Sequence, residues 1–461
     1  MMHLKKLSAV CIAVAAVLSS AVSCSSKNKT EEAAPQADVQ DTTAADTSSS
    51  ESSSSKPKGS MEIVWLSDYD LNPVNGNARS TALAMFEDVY GGKINYVHTS
   101  VKDRFNTLDS MLAAGEKVDM FPYEADVFPQ GVISERFDAL DPYYEDMGMD
   151  EGLWDDMSDV IKAFEYKGQH YVIPYSLSEP FLLTYSRKLM QNEGIDDPYA
   201  LYKAGNWNWD TFMQMMDKFR ANQPDAQRYG INGWFGEAAL CSANATAVKY
   251  DGSSFTNNIN SPELEKAENF MHDIAAKGLY SNTWKGNFPS DFNTLFYAMD
   301  DWALADSNKA NPEADLMAVP FPKAPDADKY YGSCKFNARM LVKNSSCGSA
   351  VATYIKCERI AVTDEKLRAA AKEAALKQNI TAEQYDAIQE YLSPANITPV
   401  FDFGCGMGEK MYGAGNYNYE SRGVIDNLTS VLLEGGAPVD SWEALRGAMS
   451  GIIDGEIEKY N

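Results

Sequence analysis

Short continuous apolar runs alternate with amphipathic stretches where the folded part of the chain begins. Ile63-Val64-Trp65-Leu66 is continuous enough for a strand covered on both faces. Ala82, Met85, Phe86 and Val89 recur at helical spacing and meet a stop at Gly91-Gly92. Ile94 to Val97 makes a second strand, Phe105, Leu108, Met111 and Leu112 mark a second helix ended by Gly115, and Val118 to Phe121 makes a third strand. This alternation predicts a parallel sheet with helical crossovers, an α/β arrangement in which ligands sit beyond the carboxyl ends of the strands. Those ends are Ser67-Asp68-Tyr69 and Pro122-Tyr123-Glu124.

Further along, the helical periods lengthen. Ser261-Pro262-Glu263 opens a helix with Leu264, Ala267, Phe270, Met271 and Ile274 on one face and Gly278 as its stop. Asp440 with Glu443 fits a capping box, and Leu445, Met449, Ile452 and Ile453 form the last apolar stripe. Three stretches read as crossings between lobes: Ile173-Pro174-Tyr175, the turn-rich Pro320 to Ser333, and Ser393-Pro394 through Pro399.

The first 60 residues have a different character. Lys5 and Lys6 precede a mostly apolar run from Leu7 to Leu18, too short and wrongly flanked for a spanning helix, so residues 1–23 read as an export signal. Ala21-Val22-Ser23-Cys24 resembles the lipobox of bacterial lipoproteins, which implies lipidation of Cys24; the alternative is an ordinary signal cut near Ser23. Ser25 to Ser60 has no aromatic residue, one large aliphatic (Val39) and a serine-rich run, and cannot bury enough apolar surface to order itself. As a flexible tether it would span roughly 30–35 Å, placing the globule, from Met61, outside the membrane to which the lipid holds it.

With 40 Lys+Arg against 66 Asp+Glu the net charge is −26, which excludes a nucleic-acid partner because no cationic footprint exists for phosphates. His3, His98, His170 and His272 lie far apart and match no zinc spacing. Asp70-Leu71-Asn72-Pro73-Val74-Asn75-Gly76 superficially matches a calcium loop, but Val74 takes an oxygen-ligand position and no bidentate Glu ends the loop. Gly404-Cys405-Gly406-Met407-Gly408 lacks the Lys-Ser/Thr of a P-loop and reads as a flexible turn. No metal and no cofactor is expected. Cys241, Cys334, Cys347, Cys357 and Cys405 remain in the globule, so at least one thiol is unpaired and no pairing can be assigned.

The order of features resembles the extracellular solute-binding proteins of carbohydrate ABC transporters, the maltose-binding-protein-like branch. Lys167-Gly168-Gln169-His170-Tyr171-Val172-Ile173-Pro174-Tyr175 resembles the family's glycine hairpin running into an Ile-Pro-Tyr hinge, and Leu182 to Leu189 the strand and helix start that follow. Trp207-Asn208-Trp209-Asp210-Thr211-Phe212 is similar to a family helix opening, and Ala298-Met299 to Trp302 and Val319-Pro320-Phe321-Pro322 to later blocks. The resemblance implies a two-lobed, type II periplasmic-binding-protein-like fold, each lobe a mixed sheet flanked by helices. It would put residues 61–175 and 337–395 in the first lobe, and 180–332 with 396–461 in the second. It also implies a monomer on the outer face of the cytoplasmic membrane that closes on a solute and docks on a membrane permease.

A pyranose offers apolar C–H faces and a rim of hydroxyls, so its site needs aromatic platforms and planar polar groups. The resemblance places Trp234, within the glycine-flanked Gly230 to Glu237 run, and Trp302 where relatives stack sugars, with Glu237 beside them. Tyr123, Glu124, Asp126 and Glu179 fall at or next to positions that hold sugar hydroxyls, Tyr417 and Tyr419 at a late aromatic contact, and Arg339 at a possible donor position. Trp65, inside a strand, and Trp209, opening a helix, are expected in the core, and Asp119 either braces its strand or touches ligand. An oligosaccharide receptor is the expected function. A peptide, amino acid or other small solute is the alternative cargo, and a secreted glycoside hydrolase using carboxylates such as Asp300, Asp301 or Glu237 the alternative class.

Overall fold

The apolar runs of the first half assemble as their pattern demands. Strands Glu62–Ser67, Lys93–His98 and Met120–Pro122 lie parallel, with Ile63, Trp65 and Leu66 fully buried. Arg339–Val342 returns from far along the chain to pair antiparallel with Met120–Pro122, and Phe137–Asp138 pairs antiparallel with Arg339–Val342 at the edge. The computed structural model describes residues 60–73, 78–283, 285–412, 423–434 and 441–460.

Helix Thr81–Tyr90 starts because the Ser80 hydroxyl accepts from the Leu83 amide, and ends because Gly91 turns left-handed and the Gly91 and Gly92 amides bond back to Glu87 and Phe86. It packs on helix Gly348–Thr363, with Phe86 edge-on to Tyr354 at 5.3 Å. Val89, expected on that buried face, is 58% exposed: it lies in the last turn, where the chain already leaves the partner helix at Gly91.

The second sheet is mixed as well, in the order Tyr280–Ser281, Tyr229–Gly233, Thr294–Asp300, Phe181–Ser186, Leu316–Pro320. Its first three strands are parallel and the other two pairings antiparallel. Rings of Trp207, Phe212, Phe296 and Phe321 fill one face, and Trp209 stacks on Phe270 at 4.2 Å, so both Trp65 and Trp209 are core residues. Helix Pro262–Ala276 is capped by Ser261 and buries the predicted face. It also buries Glu268, neither of whose carboxylate oxygens has a hydrogen-bond partner among the described residues. At the C-terminus helix Trp442–Ile457 is capped by Ser441; Asp440, read as the start of a capping box, lies outside the described residues.

The halves are joined by paired extended segments. Ser176–Ser178 runs antiparallel to Lys335–Asn337, and Tyr330–Gly332 parallel to Ile397–Pro399. Helix Gly348–Thr363 ends at Asp364, whose carboxylate accepts from the Lys366 and Leu367 amides and so starts the next helix, Glu365–Leu376. Helix Ala382–Tyr391 then rests on the second sheet, not the first. Gln384 donates to the Leu316 carbonyl at 2.7 Å, and the Tyr391 hydroxyl to the Ala318 carbonyl at 3.0 Å. Leu316–Pro320 is an edge strand whose outer carbonyls would otherwise lack donors, and this helix covers them. The division expected at residue 395 therefore differs from this packing: the chain changes halves within the helices that follow Asp364.

An aromatic seam links the halves beside the crossings. Phe164 lies 4.3 Å from Phe401, Phe128 5.6 Å from Phe403, Tyr166 5.5 Å from Tyr250 and 5.9 Å from Phe255. The Lys167 amide donates to the Tyr250 hydroxyl at 3.1 Å. The stretch from Gly404, expected to be a flexible turn, is instead a packed 3₁₀ turn, Phe403–Gly406, held under this seam. A Cβ on Gly406 would stand 1.7 Å from the Phe128 carbonyl oxygen, so only glycine fits.

Candidate functional site

Strands that run parallel deliver their carboxyl ends to one side of a sheet, and the side chains beyond those ends form the candidate site. In the first half these are Tyr69, Tyr123, Glu124 and Asp126. Arg104 donates to Asp126 at 2.5 Å, and Lys335, on a crossing segment, lies 3.8 Å from Glu124. Both first-half carboxylates thus face a cation. Arg339, expected to donate to ligand, is only 8% exposed. It is held by Glu358 at 2.9 Å, lies over the Trp65 and Tyr175 rings, and donates to the Tyr69 hydroxyl at 3.0 Å. Its guanidinium positions Tyr69, which is 40% exposed and which the sequence pattern marked only as a strand end. Asp119 is fully buried and accepts from the Val64 amide at 2.8 Å and the Ser345 hydroxyl at 2.7 Å; it braces the strands.

In the second half, the ends of two adjacent parallel strands carry tryptophans. Gly233 closes the first with φ 98°, and a Cβ there would stand 2.2 Å from the Ala298 oxygen; the glycine lets the chain turn and present Trp234, 55% exposed. The second strand ends at Asp300, followed by Asp301 and by Trp302, which is 37% exposed and opens helix Trp302–Ala310. The Trp302 indole hydrogen-bonds the Asp300 carboxylate. Glu179 stands on the first crossing in a left-handed conformation (φ 48°). Glu237, in the first turn of helix Gly236–Ser242, accepts from the Ser333 hydroxyl of another crossing at 2.5 Å.

These acids repel one another. Burial, then the nearby Glu179, Glu237 and Asp301, push the Asp300 carboxyl up to about 7. Burial and Glu179 push Asp301 up to about 6. Among the described residues Glu237, Asp300 and Asp301 make no ion pair. Tyr412 lies in the field of both halves: burial first, then Cys405, Glu237 of the second half and Asp126 of the first, hold its hydroxyl well above the ordinary tyrosine value.

The structure therefore brings Tyr123, Glu124 and Asp126 toward Glu237 through Tyr412, and groups Glu179, Glu237 and Trp302 about Asp300. Tyr417, Tyr419 and Cys24 lie outside the described residues. Tyr412 and Lys335 were missed by sequence reasoning, and no local signal marks either; they reach the site through the crossings. Asp300 and Asp301 were legible only as a carboxylate pair. All five globule cysteines are free, and no group of His, Cys, Asp and Glu among the described residues could hold a metal ion.

Two sheets joined by paired crossings, with aromatic and acidic side chains at the strand ends of each, define a two-lobed solute receptor. The chain belongs to the bacterial extracellular solute-binding proteins: residues 81–351 match that family. No curated protein matches it. Among solved structures it is similar to the sugar-binding protein MalE from the phytopathogen Xanthomonas citri, at 14% identity and a TM-score of 0.62 over 87% of this chain and 98% of that one. A cyclic α-maltosyl-1,6-maltose binding protein from Arthrobacter globiformis is similar at 13% identity and a TM-score of 0.61, over 87% of this chain and 100% of that one. An open-conformation sugar transporter structure from Rhizobium etli has 13% identity and a TM-score of 0.62, over 85% and 99%. At such identities the likeness concerns the fold.

Proposed function

We propose that this chain is a lipid-anchored receptor that captures a saccharide, most simply an oligosaccharide, between its two lobes and delivers it to the permease of an ABC transporter. The observation that carries this reading is the pair of exposed tryptophans, Trp234 and Trp302, at adjacent strand ends beside carboxylates that can accept hydroxyl protons. Flat rings suit the C–H faces of a pyranose, and carboxylates suit its rim. Several solved structures of this fold are of sugar-binding proteins, which supports the same cargo. A ligand that touches both lobes favours the closed form, which the permease reads. Lipidation of Cys24 and the serine-rich tether supply the anchor.

The test is titration of the mature chain, carrying Cys24→Ser, with a panel of oligosaccharides, followed by tryptophan fluorescence and calorimetry. One class of sugar should bind and raise the melting temperature. Trp302→Ala and Trp234→Ala should each weaken it by about 1–3 kcal/mol without unfolding the protein. No response to any sugar, with a response to peptides, overturns the saccharide reading; release of reducing ends during incubation overturns the receptor reading.

A further inference from the structure

We infer that Tyr69 supplies the aromatic wall of the first half, meeting an apolar face of the captured saccharide with its ring while Arg339 holds its hydroxyl. The inference rests on the receptor reading above and adds a contact residue to it.

The place of Tyr69 follows from the sheet. Strands Glu62–Ser67 and Met120–Pro122 are parallel, so Tyr69, two residues past the first, and Glu124, two past the second, stand at the same edge. Arg339 pairs with Pro122 at that edge and donates to the Tyr69 hydroxyl at 3.0 Å. Lys335, on the crossing segment, lies 3.8 Å from Glu124. Burial, opposed by Arg339, raises the Tyr69 hydroxyl above the ordinary tyrosine value, and Glu124 and Lys335 are among the charges it senses, in keeping with that placement.

A single exposed apolar residue needs no explanation, and Val89, 58% exposed, has none. Tyr69 differs in how firmly it is held. The Trp65 indole donates to its carbonyl at 2.9 Å, and the two rings meet edge-on with centroids 5.5 Å apart. The residues that follow are pinned too: Asp70 accepts from the Asn72 amide at 2.9 Å, and the Asn72 side chain donates to the Ile94 carbonyl of the neighbouring strand at 3.1 Å. Arg339 is itself fixed by Glu358 at 2.9 Å and lies over the Trp65 and Tyr175 rings. The Tyr69 hydroxyl is thus drawn inward to a guanidinium that is 8% exposed, and what the side chain presents to solvent is ring. A ring fixed in this way loses little freedom when a sugar stacks on it. Among the described residues it is also the one exposed aromatic ring of the first half, whereas Trp234 and Trp302 belong to the second. A ligand favours closure only through contacts with both halves, and Tyr69 gives the first half a stacking contact of its own.

The test uses the mature chain with Cys24→Ser and calorimetry with maltotriose, cellotriose, xylotriose and the β1,4 trimer of N-acetylglucosamine, the tightest-bound of these serving as probe for the variants. Tyr69→Phe and Tyr69→Ala both deprive an Arg339 N–H of its acceptor, so both should lower the melting temperature of the sugar-free chain. Only Tyr69→Ala should weaken binding of the probe, by at least about ten-fold, with Tyr69→Phe within about three-fold of the parent. Should Tyr69→Ala not fold, Tyr69→Leu keeps apolar bulk without the flat face and should lose at least about five-fold. Parent-like binding by Tyr69→Ala or Tyr69→Leu, or an equal loss in Tyr69→Phe, overturns the inference and leaves the receptor reading intact. Failure of every trimer to bind the unaltered chain overturns the receptor reading, and this inference with it.

Discussion

Replacing Glu268 by glutamine should make the protein more stable, and by an amount that grows with pH. The side chain is fully buried on helix Pro262–Ala276, which packs against helices Gly236–Ser242 and Val424–Glu434, and both its oxygens lack partners among the described residues. Burial alone raises its pKa well above the ordinary glutamate value of 4.5. The folded state therefore keeps a proton that the unfolded chain gives up. Stability is fully present below pH 4.5 and declines as pH rises, by about 1.4 kcal/mol per unit while the folded group stays protonated. From pH 5 to pH 7 the decline has an upper bound of about 2.7 kcal/mol, reached where the folded carboxyl keeps its proton throughout. Glu268→Gln keeps the shape and cannot ionise, so urea unfolding at pH 5, 6 and 7 should show its advantage over the parent widening with pH, up to that bound. An advantage that stays constant with pH would mean that the carboxyl is ionised and solvated in the folded protein, and the reasoning from burial would be wrong.

Three further outcomes follow from the packing. Gly406→Ala forces a Cβ against the Phe128 carbonyl and should cost about 1–3 kcal/mol in thermal unfolding; an unchanged melting temperature would show that the seam can shift to make room. Arg359 is 3% exposed and donates to the Leu153 and Tyr175 carbonyls, each at 3.0 Å, and to Asp156; Arg359→Met strands these acceptors and should cost about 3–5 kcal/mol, with Arg359→Lys giving only partial rescue because it lacks the planar fork. Thiol titration of the unreduced, denatured mature chain carrying Cys24→Ser should count five reactive groups, Cys241, Cys334, Cys347, Cys357 and Cys405; a count of three or one would reveal a disulfide.

Much of the fold was legible because a strand covered on both faces reads as an unbroken apolar run, as Ile63 to Leu66 does, and because Ser261-Pro262 announces a helix start by local chemistry alone. What depends on distant partners was not legible. Helix Ala382–Tyr391 has the pattern of any amphipathic helix, and only the open edge of Leu316–Pro320 decides which sheet receives it. Arg339 sits at a strand start that fits a ligand donor, yet Glu358, nineteen residues on, claims its charge. Trp234 and Trp302 could not be separated from Trp65 and Trp209 by composition; the glycine before Trp234 and the aspartates before Trp302 were the local hints, and exposure is what distinguishes them.

The ring seam beside the crossings has a mechanical meaning. Stacked and edge-on rings hold together by non-directional attraction, so they can roll over one another at small cost but resist being parted. Phe128, Phe164 and Tyr166 on one half and Tyr250, Phe401 and Phe403 on the other thus suit a greased pivot pin, one that would fix where the halves turn if the receptor proposed above closes on its solute. In the receptor proposed above, a pivot at this seam would make the molecule gape on the opposite side, and a solute would enter there.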